Sequence, residues 1–185
     1  MIKWRCTLCG ECCKTYVPLV LPEDVQRIQD SLQRPMSSFV TFYHPTDFLE
    51  PLDDSYNGLL FQTKDGELAM VLSRVDLPNG EVGCVFLKNN MCSIQSFKPL
   101  VCRQYPFQPQ DPNNSLGPFR LIDNPCFGKH AEDEIVVENP LRINYRDFHQ
   151  KQDEYLQKVK EWNDDPASRE KGIEDFLSFV GLRWD

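Results

Sequence analysis

Val25, Ile28 and Leu32 recur at helical spacing within LPEDVQRIQDSL (21–32), behind a first turn that holds a proline and two acids. That spacing puts the three on one face, so an amphipathic helix is predicted there. SSFVTFY (37–43) follows with Ser37 as a candidate cap, and a second short helix is expected over it. The loop HPTDFLEPLDDSYNG comes next, its acids read as solvated. Between 59 and 94 the texture changes: GLLFQT, LAMVLSRV, VGCVFL and MCSI are short apolar runs separated by KDGE, LPNGE and KNN. Such runs and turns predict an antiparallel meander. KPLVCRQYPF (98–107) reads as a short helical or turn segment stopped by Pro106, and FRLIDNPCFG ends in a turn flanked by Pro125 and Gly128. From 141 onward the pattern is helical again, with apolar stripes of Tyr155, Val159 and Trp162, then Ile173, Phe176, Leu177 and Val180.

No repeat or low-complexity linker interrupts this order, so one domain over 1–185 is expected, with residues 1–135 as a cysteine-bearing region and 136–185 as a helical tail packed on it. The length of 185 residues and 41% hydrophobic content suit a single core. The fold class expected is a small, metal-stapled α+β domain of antiparallel hairpins and flanking helices.

A formal net charge of -8 argues against a nucleic-acid surface, which needs clustered Lys and Arg, and against membrane headgroups for the same reason. The first apolar stretch, YVPLVL at 16–21, is short, contains a proline and follows cysteines instead of a basic region, so no secretory signal is expected. No run approaches the roughly 20 apolar residues of a membrane span. A cytoplasmic location is expected, and a reducing cytosol leaves metal binding or catalysis as the usual reason for many cysteines.

There are eight: Cys6, Cys9, Cys12, Cys13, Cys84, Cys92, Cys102 and Cys126. Four thiolates complete either a tetrahedral zinc site or the ligand set of an iron–sulfur cluster, so one or two sites are arithmetically open. CTLCGECC (6–13) carries four of them. The Cys6-x-x-Cys9 spacing lets both sulfurs face one point, and Gly10 relieves crowding near the sulfurs. Cys12 repeats the spacing, giving a C-x2-C-x2-C run of the kind that holds three irons of a cubane. Cys13 is then surplus. On an extended backbone Cys12 and Cys13 would point to opposite sides, which suits ligands of two neighbouring sites. The alternative is one cluster plus a reactive thiolate, favoured by the metal charge or by Lys14. The other four cysteines each fall at a turn or strand edge, and a hairpin would bring Cys84 and Cys92 into one neighbourhood. A zinc ribbon supplies two knuckles and only one CxxC exists here, which tips the balance toward iron–sulfur.

Cations close to cysteines in the chain are Arg5, Lys14, Lys88 and Arg103, with Arg103 the leading candidate to lie behind the ligands. Of His44, His130 and His149, only His130, four residues after Cys126, is placed as an alternative ligand or proton carrier. No P-loop, G-x-G-x-x-G or C-x3-C-x2-C motif is present; Tyr16 stands where the last would need its third thiol.

CTLCGECC, the Pro-Glu-Asp helix opening, GCVFL...MCSIQSFKPLVCRQYPF and the final PCFG together resemble the YkgJ-like cysteine-cluster family, a zinc- or iron-chelating domain whose hallmark is CxxCxxCC. The resemblance spans roughly residues 4 to 128, and it implies that all eight cysteines belong to the metal site or sites. The same hallmark looks like the cysteine region of flagellin lysine N-methylases, which implies a link to protein modification, although this chain is much shorter than those enzymes.

Three functions are therefore weighed. The first is an iron–sulfur protein in redox chemistry or protein modification. The second is a structural zinc protein that presents a surface to a protein partner or substrate. The third is a metal carrier that uses the Cys12–Cys13 doublet to take up and release an ion. No residue in the sequence identifies a catalytic step.

Overall fold

The structure, a computed structural model, describes residues 9–48, 58–111, 114, 117–122 and 138–185, the last segment from 141 onward with its side chains. The architecture is α+β. Helices α1 (Glu11–Thr15), α2 (Pro22–Leu32), α3 (Leu100–Gln104), α4 (Glu138–Asp164) and α5 (Ile173–Phe179) accompany strands β1 (Val40–Tyr43), β2 (Phe61–Thr63), β3 (Gly66–Leu72), β4 (Arg74–Asp76), β5 (Val82–Cys84), β6 (Leu87–Lys88), β7 (Met91–Cys92), β8 (Phe107–Pro109) and β9 (Phe119–Leu121). The backbone divides into two compact units, one of Met1–Tyr16 with Arg74–Gln150, the other of Val17–Ser73 with Lys151–Asp185.

The second unit is built on a three-stranded antiparallel sheet in the order β1-β3-β2. β3 reads as a nearly continuous apolar run because it is central, and its residues Leu68 to Leu72 are all buried. SSFVTFY was expected as a helix; instead Met36–Ser38 make one 3-10 turn and Val40–Tyr43 pair with Ala69–Leu72. The β-branched and aromatic residues of that run suit a pleated surface, and cross-strand pairing overrides a cap signal at Ser37. α2 matches its sequence pattern, with Val25 and Ile28 fully buried.

β2 is an edge strand covered by side chains of α4. Trp162 Nε1 donates to the Gln62 carbonyl at 2.6 Å, Asn163 Nδ2 donates to the Leu60 carbonyl at 2.9 Å, and Asn163 Oδ1 accepts from the Gln62 amide at 2.8 Å. These bonds occupy groups that an open edge would leave to other chains. Phe61 stacks on Phe176 of α5 with centroids 3.7 Å apart, and Trp162 meets the same ring edge-on.

The first unit consists of hairpins. β4–β5, β6–β7 and β8–β9 form separate two-stranded ribbons, so the expected meander exists as local hairpins but not as one sheet. LPNGE forms the β4–β5 turn, with Leu77 N bonded to the Glu81 carbonyl at 2.7 Å. The β8–β9 hairpin was not anticipated. It packs Phe107 and Phe119 with Leu141 and Tyr145 of α4 into a small buried cluster, and the Tyr145 hydroxyl donates to the Phe107 carbonyl.

Candidate metal centre

Gly10 sets the position of the first thiols. It caps α1 in the left-handed region at φ 75°, and its carbonyl accepts from Cys13 N at 2.9 Å. A Cβ there would meet Leu87 Cδ1 at 2.7 Å and the Asn90 carbonyl oxygen at 2.8 Å, so only glycine lets α1 start this close to the β6–β7 hairpin. The doublet is therefore helical, not extended as expected. Cys12 and Cys13 differ by about 100° around a helix axis rather than 180°, and both thiols can face one neighbourhood.

They do. The Cys13 thiol is in hydrogen-bond contact with the sulfurs of Cys12, Cys84 and Cys92. Three chain segments thus bring four sulfurs together: α1, the end of β5 and the end of β7. Cys102, on α3, lies next to them, within electrostatic reach of Cys84, Cys12 and Cys92. Cys9 precedes the Gly10 cap and is half-buried. Cys6 and Cys126 lie outside the described residues, as do Arg5 and His130. No disulfide joins any of the six described cysteines.

The charges in the cluster are unequal. Hydrogen bonds with Cys12, Cys84 and Cys92 hold the proton on Cys13 far above the ordinary thiol range. The Cys13 thiol in turn lowers Cys92 to about 6 and Cys12 to about 7, against burial, and lowers Cys84 as well. Backbone amides add to this: the N–H groups of Phe86 and Ile94, each two residues downstream, point at the sulfurs of Cys84 and Cys92. Bonds of that kind favour the thiolate. Burial raises Cys102 instead, and the charge of Cys84 raises it further.

Two cations answer these thiolates. Lys98 faces Cys12, Cys92 and Cys102, and Arg74 faces Cys84, directly across the β4–β5 ladder. Neither was singled out from sequence. The signal for Arg74 lay in the LPNGE turn, because its register pairs Asp76 with Val82 and hence Arg74 with Cys84. Of the nominated cations, Lys14 is engaged with Glu81 at 3.0 Å and Glu11 at 3.6 Å, and Lys88 is exposed. Arg103 Nε donates to the Lys98 carbonyl at 3.0 Å. His44 sits beside Gly66, and His149 lies against Tyr145 and Phe148.

Among the described residues no three Cys, His, Asp or Glu side chains form a finished metal cage. The contacts radiate from Cys13 instead of closing around a common centre. The donor set nonetheless fits a thiophilic ion. A single S–H can donate to one sulfur at a time, whereas a cation among the four sulfurs could bind all of them as thiolates.

A family model described as "CxxCxxCC: Putative zinc- or iron-chelating domain" matches residues 5–133, more than two thirds of the chain. The chain belongs to this family. The CxxCxxCC family's zinc- or iron-binding character agrees with the four-sulfur neighbourhood, which lies wholly inside the matched segment. No curated protein and no solved structure matches. No helix among the described residues is long and apolar enough to cross a membrane.

Proposed function

We propose that this CxxCxxCC chain is a metal-binding protein whose Cys12, Cys13, Cys84 and Cys92 hold one zinc- or iron-type ion as a tetrathiolate centre. The contact of the Cys13 sulfur with those of Cys12, Cys84 and Cys92 carries this reading. Four thiolates around one ion stand about 3.8 Å apart, from a metal–sulfur bond of about 2.3 Å in a tetrahedron. The approach of the Cys13 sulfur to the other three supports a centre of that compact kind. In a cubane each thiolate caps a different iron, which spreads the sulfurs apart. A closed tetrathiolate ion contributes folding free energy, here by fastening α1 to the two hairpins.

A second reading keeps the iron–sulfur cluster. Cys102 stands beside the four thiols and Cys9 directly precedes the Gly10 cap, more donors than one ion uses, and three of the sulfurs accept backbone N–H bonds that tune cluster potentials. Redox chemistry or protein modification would follow from that reading.

For the partner we propose another protein, in the cytoplasm, rather than nucleic acid. Tyr16, Val75, Val82 and Met91 are large apolar residues left exposed on the segments that carry the thiols, and the chain is acidic overall.

Metal analysis and an absorption spectrum on anaerobically purified protein test the centre. One zinc per chain and no visible colour supports the tetrathiolate ion. Iron with acid-labile sulfide and broad absorption near roughly 400 nm overturns it in favour of the cluster.

A further inference from the structure

Arg74 makes three hydrogen bonds that no sequence motif announces. Its Nη1 donates to the Tyr16 carbonyl at 2.8 Å, and its Nη2 donates to the carbonyls of Val82, at 2.7 Å, and Lys14. Lys14 is the next residue after Cys13, and Tyr16 closes the same helix. Val82 begins the strand that ends in Cys84. One half-buried side chain therefore grips both the α1 segment and β5 by their backbones.

We propose that Arg74 is the positioning residue of the thiol centre, locking the helix that bears Cys12 and Cys13 onto the strand that bears Cys84. This rests on reading the four thiols as a metal centre. Carbonyls at the end of a helix have no partner within the helix, so an outside donor decides where that end sits. Guanidinium offers five N–H groups in a rigid planar fork and can serve three carbonyls at once, with its charge still facing the Cys84 sulfur across the ladder. A lysine at this position keeps the charge but is a point donor on a flexible stem, so it cannot hold the same three oxygens. The lock and the charge are thus separable by substitution.

Arg74→Lys and Arg74→Met are compared with the wild-type chain in two experiments. In the first, the metal-free proteins are titrated with Co2+ under anaerobic conditions. Both variants are expected to bind about 10- to 100-fold more weakly, and to show less thiolate-to-cobalt charge-transfer absorption per bound ion, because Cys13 and Cys84 no longer converge. A general loss of folding would lower the number of ions bound and leave the absorption per ion unchanged. In the second, the metal-free chains are alkylated with a maleimide and the sites read by mass spectrometry; Cys12 and Cys13 should react several-fold faster in both variants.

Wild-type binding of cobalt with both variants equal to it in affinity, absorption and alkylation overturns the lock and leaves the centre standing. Faster alkylation in the variants with no cobalt bound by any chain overturns the metal centre and leaves the lock standing. No cobalt bound and unchanged alkylation overturns both.

Discussion

Gly10 lies so close to Leu87 that a side-chain carbon on it would stand 2.7 Å from the leucine Cδ1. The approach seats the Cys12–Cys13 helix beside the hairpin that ends in Cys92, and the φ of 75° at Gly10 turns the chain into that helix.

Gly10→Ala should therefore weaken the centre from two causes. The left-handed conformation costs a non-glycine residue about 1–2 kcal/mol, and the new methyl must also displace Leu87 or the backbone at Asn90. Competition against a chromophoric zinc chelator is expected to show at least about tenfold weaker retention of metal, the factor that 1.4 kcal/mol produces. Unchanged retention would mean that α1 does not depend on this contact.

Cys13 and Cys102 separate the two readings of the site. Cys13→Ser removes the sulfur in contact with three others and is expected to abolish stoichiometric metal binding. Cys102→Ser alters a thiol that burial keeps protonated, and it should leave metal content near that of wild type. Elemental analysis of both variants decides the matter. Equal loss in the two would place Cys102 among the ligands and favour a cluster that recruits the thiols around the central four.

Much of this neighbourhood was readable before the fold. The turns KDGE and LPNGE, the helix from Pro22 and the stop at Pro106 each depend on local chemistry, and each appears where its residues place it. Cys84 and Cys92 were expected to be neighbours, and both touch Cys13. What escaped depends on tertiary pairing. The stretch 40–43 became a strand because β3 was available beside it, and a short apolar run carries no period that separates helix from strand. The expectation of two sites for Cys12 and Cys13 rested on an extended backbone, which the Gly10 cap replaces with a helix. Cations were sought near cysteines along the chain, whereas Arg74 reaches Cys84 across a hairpin.

The ring pair Phe61–Phe176 anchors the second unit, with both residues fully buried and nearly parallel at 5°. Phe176→Ala should destabilise that unit by about 3–5 kcal/mol, since it empties a site bordered by Phe61, Tyr155 and Trp162. Phe176→Leu should cost clearly less by retaining most of the volume. Urea unfolding monitored by tryptophan fluorescence gives both values, and equal costs would show that the stack, and not the filled volume, is what stabilises.

Two buried tyrosines predict the behaviour of the protein in alkali. Burial raises the pKa of both Tyr145 and Tyr155 above the ordinary value of 10.0. The unfolded chain loses each phenolic proton near pH 10 while the folded chain keeps it. Their contribution is therefore complete below about pH 10 and is lost progressively as the pH rises beyond it. The two hydroxyls differ in partner: Tyr145 donates to the Phe107 carbonyl, whereas the buried Tyr155 oxygen has no hydrogen-bond partner among the described residues. Tyr155→Phe should then be neutral or stabilising at pH 7, because it removes an unsatisfied polar atom, and its advantage over wild type should widen above pH 10. Tyr145→Phe should be destabilising by about 0.5–1.5 kcal/mol at pH 7, because it removes the buried hydrogen bond to the Phe107 carbonyl, and that deficit should shrink in alkali. Denaturant midpoints measured from pH 7 to 11 test both. Parallel profiles for wild type and Tyr155→Phe would show that the phenol at 155 ionises as readily in the folded chain as in the unfolded one.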